Sequence, residues 1–276
     1  MTLTEGFVRD EVFIDFGAEV LYGDDQCYID YESMVQRIYR QIKTVDPDAT
    51  VTIATSKSQV SAIHNQLGED VGISVEPCRR DTFAAIALAT AYLHDVKGLD
   101  ENEAVVVCPV DPYVEEGYFR CLEEMCKAAA EGKENLVLMG IAPTYPSEKY
   151  GYIKPNKDKK GFTFTEKPTK EKAEEYIAEG ALWNGGVFAY QLKYVLEKSR
   201  ELLGTDSYSE LFNNYTSLRK ISFDYAVVEQ ETSIQVLKYS GTWKDLGKKV
   251  LEAYHAGDKT ADEIIAFIQN GSRSND

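Results

Sequence analysis

The sequence predicts an α/β fold: a mostly parallel central sheet with helices on both faces, followed by a mixed, strand-rich extension. Strand-like and helix-like segments alternate from about residue 50 to residue 141, and a βαβα succession of this kind implies parallel strands joined by crossover helices. Val105, Val106 and Val107 form a short continuous apolar run, the pattern of a strand buried on both faces. After Pro143 the segments become short and aromatic-rich, which reads as an antiparallel or mixed extension of the sheet around a pocket.

The elements follow in chain order. Residues 12–16 and 18–22 can form strands around Gly17, but no glycines here have the spacing of a phosphate-cradling loop. Residues 51–55 are a β-rich run, 56–67 a helix with Ser56 near its cap, 72–75 a second strand, and 81–93 a helix opened by Asp81 and Thr82. A third strand at 104–108, a helix at 118–130 and a fourth strand at 136–141 complete the regular part. Strands at 150–154 and 161–166 flank the turn PNKDKKG, and a polar helix at 170–179 leads to a strand at 183–190. Helices at 193–203 and around 224–229, then a strand at 233–237, precede a charged helical tail from Lys248 that ends in GSRSND. No internal repeat or long linker breaks the pattern. The expectation is one domain over residues 1–276, with an atypical N-terminal segment at 1–32 and a helical tail at 248–276.

Composition narrows the function classes. The 276 residues suffice for a large domain with a real core, and 43% hydrophobic with 28% charged residues is the balance of an ordinary soluble protein. No apolar run approaches the roughly 18 residues of a membrane span, and MTLTEGFVRDEV lacks the regions of a signal peptide. A cytoplasmic protein without membrane contacts is expected. Five cysteines without CxxC pairing and only three histidines argue against a zinc site or a disulfide framework. The formal net charge of −16 disfavours nucleic acid and anionic membranes as partners, since both demand Lys and Arg on phosphates. A phosphorylated ligand would have to be met by local Lys or Arg, backbone amides or a divalent cation. Exposed Tyr and Phe in the C-terminal half would permit a homodimer.

Three places put ionisable residues at strand ends, where open α/β sheets bind ligands. Asp111 follows the valine run between Val110 and Pro112; it can cap the helix expected near Glu116, open a turn with Pro112, or act as a ligand. Glu166 and Lys167 follow the strand FTFT directly, and Asp245 lies past the strand at 233–237 and a glycine turn. Asp111 and Asp245 could share one Mg²⁺ through carboxylate oxygens, with Lys167 as a point charge on a phosphate. The alternative is that Glu166 and Lys167 are solvated turn residues and Asp245 a helix cap. Glu76, Arg79 and Arg80 at a strand-to-helix turn suit an anion or a base edge, while the alanines of the following helix suit close packing on the sheet. Trp183-Asn184-Gly185-Gly186 offers an amide and two glycines for close approach of a hydroxylated ring, or simply a β-bulge.

The segments VEPCRRDTFAAIALA, VVVCPVDPYV, EKYGYI, FTEKPTKEKAEEYIAEGALWNGGVFAY, ISFDYAVVE and GTWKDLG occur in the order found in sugar-1-phosphate nucleotidyltransferases. The chain resembles that family from about residue 33 to residue 247, and most resembles its mannose-1-phosphate guanylyltransferases. The resemblance implies a Rossmann-like nucleotidyltransferase fold and a Mg²⁺-dependent reaction of GTP with mannose 1-phosphate that gives GDP-mannose and pyrophosphate. It implies that Asp111 and Asp245 hold the metal and that Lys167 contacts the sugar phosphate. It places Gly151, Glu166 and Asn184 around the sugar, and Glu76, Arg80, Asp81 and Thr82 by the nucleotide.

One departure is large. Such enzymes open with a strand and a glycine-rich loop bearing Arg and, further on, Pro-Lys, which embrace the triphosphate. In residues 1–32 Gly6, Gly17 and Gly23 stand isolated and Arg9 is the only basic residue. The first sheet strand is then either missing or replaced by residues 12–16. A non-catalytic relative that binds sugar nucleotide, or pairs with another subunit, is the alternative reading.

Overall fold

The computed structural model describes residues 11–15, 33–156, 161–165 and 167–245, with the backbone alone described at 11–15, 244 and 245. Strand β1 (Glu11–Asp15) lies in the middle of the sheet. It pairs in parallel with β2 (Thr50–Ser56) on one side and β4 (Ala104–Pro109) on the other, Asp15 falling opposite Ala54 and Pro109. The N-terminal segment therefore supplies the central strand, one residue earlier than the expected 12–16. Without it, β2 and β4 would each leave a ladder edge unpaired in the sheet interior. The expected strand at 18–22 and the tail from Lys248 lie outside the described residues.

β3 (Gly72–Glu76) extends the parallel region beyond β2. On the other side, β9 (Leu182–Gln191) inserts antiparallel between β4 and β6 (Leu136–Ile141), and β10 (Ile234–Tyr239) runs parallel to β6 at the edge. The hairpin of β7 (Gly151–Pro155) and β8 (Phe162–Thr165) joins β9 through β7. Among the described residues this is a nine-stranded sheet of order β10-β6-β9-β4-β1-β2-β3, with β7 and β8 branching from β9. A separate antiparallel ribbon pairs β5 (Pro112–Val114) with β11 (Trp243–Asp245).

Helices cover both faces because the central strands are apolar on both. Val106 and Cys108 join the core beneath α1 (Met34–Val45) and α4 (Glu116–Ala130). Val105 and Val107 join the opposite core beneath α3 (Thr82–Asp95) and α6 (Leu192–Leu203). Each such fully buried valine is worth roughly 1.5–3 kcal/mol, so the uninterrupted run stabilises both layers at once. The alanines of α3 are buried along its length, as close packing on the sheet requires.

Two expected helices change shape. The one at 56–67 opens as a 3₁₀ turn over Lys57–Gln59 before α2 (Val60–Leu67), because Thr55 and Ser56 both donate their hydroxyls to the Gln59 side chain. The one at 224–229 breaks into α8 (Phe223–Ala226) and a 3₁₀ turn at Val228–Gln230, with Val227 at φ −124° interrupting the helix. Helix α5 (Lys170–Ala178) begins as expected behind the Thr169 cap. Helices α1 and α7 (Tyr208–Asn214) are additional to the expected set; α1 carries a reciprocal capping box between Ser33 and Gln36. No helix among the described residues is long and apolar enough to cross a membrane.

Candidate functional site

β4 ends at Pro109, and the chain turns through the buried Val110 and the half-buried Asp111 into β5. The N-cap of α4 is Glu115, so Asp111 does not cap that helix. It lines a cavity of about 260 Å³ at the carboxyl ends of β2 and β4, shared with Thr82, Asn184 and Asp224. Open α/β sheets place their ligands at such strand ends.

Asp245 follows β10 and the bend at Gly241, as expected, and lies within the short strand β11, which was not expected. Its backbone sits opposite Pro112 in the antiparallel ribbon, beside the residue that follows Asp111. The ribbon is fixed from the helix layer by Arg37 of α1. That buried guanidinium donates Nη2 to the Pro112 carbonyl at 2.6 Å and lies 5.4 Å from the centre of the Tyr113 ring. Arg37 was not among the expected site residues, but its signal is visible: a cation on the buried stripe that Met34, Val35, Ile38 and Ile42 define.

These placements suit Mg²⁺. The ion takes hard oxygen ligands, commonly one or two carboxylates, and completes its shell with water and phosphate oxygens. Among the described residues no three or more His, Cys, Asp or Glu side chains form a metal cluster. A metal shared with a phosphorylated ligand would need no more than one or two carboxylates from the chain.

The segment at 183–186 contains the β-bulge that was one of its two readings, and Asn184, Gly185 and Gly186 line the cavity. The β6–β9 register shifts between Leu138 and Gly140, opposite Gly185 and Gly186. Gly186 has a φ of +69°, and at Gly185 a Cβ would lie 2.3 Å from Ile141 Cδ1 and 3.1 Å from the Trp243 ring. The bulge orients Asn184, whose Oδ1 accepts from the Gly186 amide at 3.1 Å and whose Nδ2 donates to Asp224 Oδ1 at 2.6 Å. Trp183 anchors the wall by donating to the Tyr152 hydroxyl at 3.0 Å, and its ring packs 4.9 Å from those of Tyr145 and Tyr150. Gly151 pairs with Asn184 and borders a smaller recess that also includes Thr165 and Asp224.

The residues expected at the nucleotide end are only partly gathered. Thr82 lines the cavity and accepts from the Phe223 amide at 2.9 Å. Asp81 holds a left-handed φ of 71° and caps α3 by accepting from the Thr82 amide at 2.8 Å. Glu76 and Arg80 instead meet the 3₁₀ turn at Tyr215–Ser217. Glu76 accepts from the Tyr215 hydroxyl at 2.7 Å, while Arg80 donates to the Tyr215 and Thr216 carbonyls. Burial pushes the Glu76 carboxyl up, against the opposing pull of the Tyr215 hydrogen bond and of Arg79. Lys167 is exposed just past β8 with a φ of 43°, outside the cavity lining, and Glu166 lies outside the described residues. Cys108, on the cavity wall, has its thiol pushed up to about 12 by burial, which makes it an inert packing group and no nucleophile.

The fold and site define a class: a mixed α/β sheet whose strand ends open onto a cavity with carboxylates, an amide and a hydroxyl. The sequence profile of the Nucleotidyl transferase family matches residues 26–262, and the chain belongs to that family. Its fold is the Rossmann-like nucleotidyltransferase fold. A mannose-1-phosphate guanylyltransferase of Sinorhizobium fredii is 32% identical over 199 residues, covering 63% of this chain and 38% of that protein. The xanthan biosynthesis protein XanB of Xanthomonas campestris is 30% identical over 240 residues, covering 78% of this chain and 50% of its own length. The chain thus spans half or less of these two relatives. The crystal structure of a mannose-1-phosphate geranyltransferase from Thermus thermophilus superimposes with a TM-score of 0.72 at 26% identity, over 87% of this chain and 76% of that one.

Proposed function

We propose that this chain is a sugar-1-phosphate nucleotidyltransferase that forms GDP-mannose and pyrophosphate from GTP and mannose 1-phosphate. The observation that carries the reading is Asp111 on the wall of a strand-end cavity, with the backbone of Asp245 held against the adjacent Pro112. Asp111 and Asp245 would hold Mg²⁺, which when bound offsets the negative charge of the phosphates. The sugar phosphate oxygen attacks the α-phosphorus in line and pyrophosphate leaves, without a covalent enzyme intermediate. The chain's own part is then positioning and charge. Lys167 would meet the sugar phosphate, Gly151, Glu166 and Asn184 the sugar, and Glu76, Arg80, Asp81 and Thr82 the nucleotide. Guanine and mannose are supported by the name of the Sinorhizobium relative and by the EPCRRDT segment.

A second reading, a relative that binds sugar nucleotide without turning it over, is favoured by one observation. Residues 1–32 carry a single basic residue, Arg9, and only isolated glycines, so this segment offers little to steady departing pyrophosphate. Removing even one preorganised donor of that kind commonly costs about 10²–10³ in rate. Pyrophosphate release with GTP, mannose 1-phosphate and Mg²⁺, set against the other nucleoside triphosphates, separates the two. GTP-preferring release establishes the transferase; no release from folded protein that still binds GDP-mannose establishes the binding protein.

A further inference from the structure

We propose that Arg37 is a positioning residue for the metal: from the buried face of α1 it holds the Pro112 carbonyl in place, and with it the backbone that carries Asp111 and lies against Asp245. This rests on the nucleotidyltransferase reading above.

A guanidinium is an expensive choice at this position. Arg37 is 6% exposed and stands on the stripe formed by Met34, Val35, Ile38 and Ile42, where an apolar side chain would pack without loss of hydration. Two of its contacts fall on consecutive residues of β5, 75 and 76 positions further along the chain. Nη2 donates to the Pro112 carbonyl at 2.6 Å, and the guanidinium carbon lies 5.4 Å from the centre of the Tyr113 ring. A planar cation with a fixed fork of donors can bond a carbonyl and lie beside an aromatic ring at once, which an ammonium on a flexible stem does poorly.

The ribbon needs such a tie. Each of its strands has three residues, and an isolated pair of short strands is marginal in water. Pro112 also lacks the N–H that an ordinary residue would bring to its pairing with Asp245. The far end, where Val114 lies opposite Trp243, has its own attachments. The Thr242 hydroxyl donates to the Glu115 carboxylate, the Tyr239 hydroxyl donates to the Thr242 carbonyl at 3.0 Å, and the Tyr118 ring packs 5.8 Å from that of Trp243. Arg37 secures the opposite end, where Pro112 lies opposite Asp245 and next to Asp111.

That end is where small displacements matter most for a metal. Mg²⁺ demands near-ideal octahedral geometry, so a shift of one carboxylate-bearing backbone against the other weakens the ion more than it weakens a sugar nucleotide spread over the whole cavity. Arg37 touches neither reactant nor ion in this account and acts through Pro112.

The test uses Mn²⁺, which takes the same octahedral oxygen shell and whose free ion gives an electron paramagnetic resonance signal that is lost on binding. The full chain and its Arg37→Lys, Arg37→Met and Ile42→Val variants are titrated with Mn²⁺ in the presence of GDP-mannose, and with GDP-mannose in EDTA. Mn²⁺ affinity should fall about tenfold in Arg37→Lys, which keeps the charge but not the planar fork, and about a hundredfold in Arg37→Met, the span for outer-shell partners of metal ligands. GDP-mannose affinity in EDTA should be unchanged in both. Ile42→Val thins the same buried stripe where it packs near Phe119 and Leu122, and should lower the urea midpoint while leaving Mn²⁺ affinity at the wild-type value. Wild-type Mn²⁺ affinity in Arg37→Lys would overturn the proposal whether or not Arg37→Met folds. Equal weakening of GDP-mannose with and without metal would overturn it by making Arg37 a support of the whole cavity, and a matching loss in Ile42→Val would do so by making it a support of α1. If the wild type takes up no Mn²⁺ beyond what GDP-mannose binds by itself, the function reading fails together with this one, whereas wild-type uptake that the Arg37 variants share sinks this proposal alone.

Discussion

Gly185 offers a sharp test of how the pocket wall is built. A Cβ there would lie 2.3 Å from Ile141 Cδ1, 3.1 Å from Trp243 Cη2 and 3.3 Å from Trp243 Cζ2. Carbon pairs are comfortable at about 3.5–4.0 Å, so Gly185→Ala overlaps the isoleucine by more than about 1 Å and crowds the indole. Overpacking of this kind costs about 1–3 kcal/mol, and the lower entropy of an unfolded chain with alanine returns about 0.4–1 kcal/mol. The net expectation is destabilisation of about 1–2 kcal/mol, read as a lower urea midpoint at constant slope. Ile141→Val alone should cost about 0.5–1.5 kcal/mol, but it deletes the atom that clashes. The double variant should therefore be more stable than the sum of the singles by about 1 kcal/mol. Gly186→Ala is the control. Its Cβ meets nothing within 4 Å, but the φ of +69° makes alanine strained by about 1–2 kcal/mol, additive with Ile141→Val. If Gly185→Ala lies within about 0.5 kcal/mol of wild type, or its pairing with Ile141→Val is additive, the close-approach account of the wall is wrong.

Other expectations concern charge. Asp111→Asn should abolish Mg²⁺-dependent pyrophosphate release and leave the urea transition in place; unchanged turnover would remove Asp111 from the metal site. Lys167→Ala should raise KM for the sugar phosphate more than for GTP, whereas an equal rise in both would sink its assigned contact. Burial holds the Glu76 carboxyl above its ordinary 4.5, so its contribution to stability is full below that value and is lost as pH rises through the folded-state pKa. Glu76→Gln should accordingly flatten the decline of stability above about pH 4.5, and an unchanged slope in urea titrations between pH 4 and 7 would show that Glu76 does not titrate there.

Much of the fold was legible because it follows from periodicity and burial. The valine run at 105–107, the alanine-rich α3 and the edges of β6 matched their expected places, since a strand covered on both faces and a helix packed on a sheet leave little choice of residue type. The site was legible only where a residue type is costly in its setting. Asp111 stood out as a carboxylate at the end of an apolar strand, and Asn184 as an amide before two glycines. Arg37, Asp224, Tyr150 and Trp243 went unnoticed as site residues because their significance lies in partners far away in sequence, such as the Pro112 carbonyl for Arg37 and the Asn184 amide for Asp224. Asp245 lies past a strand and a glycine turn as expected, but its own strand went unforeseen. A three-residue strand such as β11 carries too little pattern to announce itself and exists through its pairing with β5.

The same physics explains why the central strand was the hardest to assign. EVFID is five residues long with an acidic residue at each end, a weak strand by its own composition. Its neighbours supply what it lacks: β2 and β4 present ladder groups on both sides, and each stays unpaired unless something fills the gap. A central strand can be weak in sequence because its position is determined by two stronger ones, whereas an edge strand must carry more of its own specification. The consequence for function is geometric. β1 sets the spacing between β2 and β4, and the cavity is built on residues from both, Ala54 on one and Val107 to Pro109 on the other. The strand that the sequence specifies least thus sets the width of the floor on which the candidate ligands would rest.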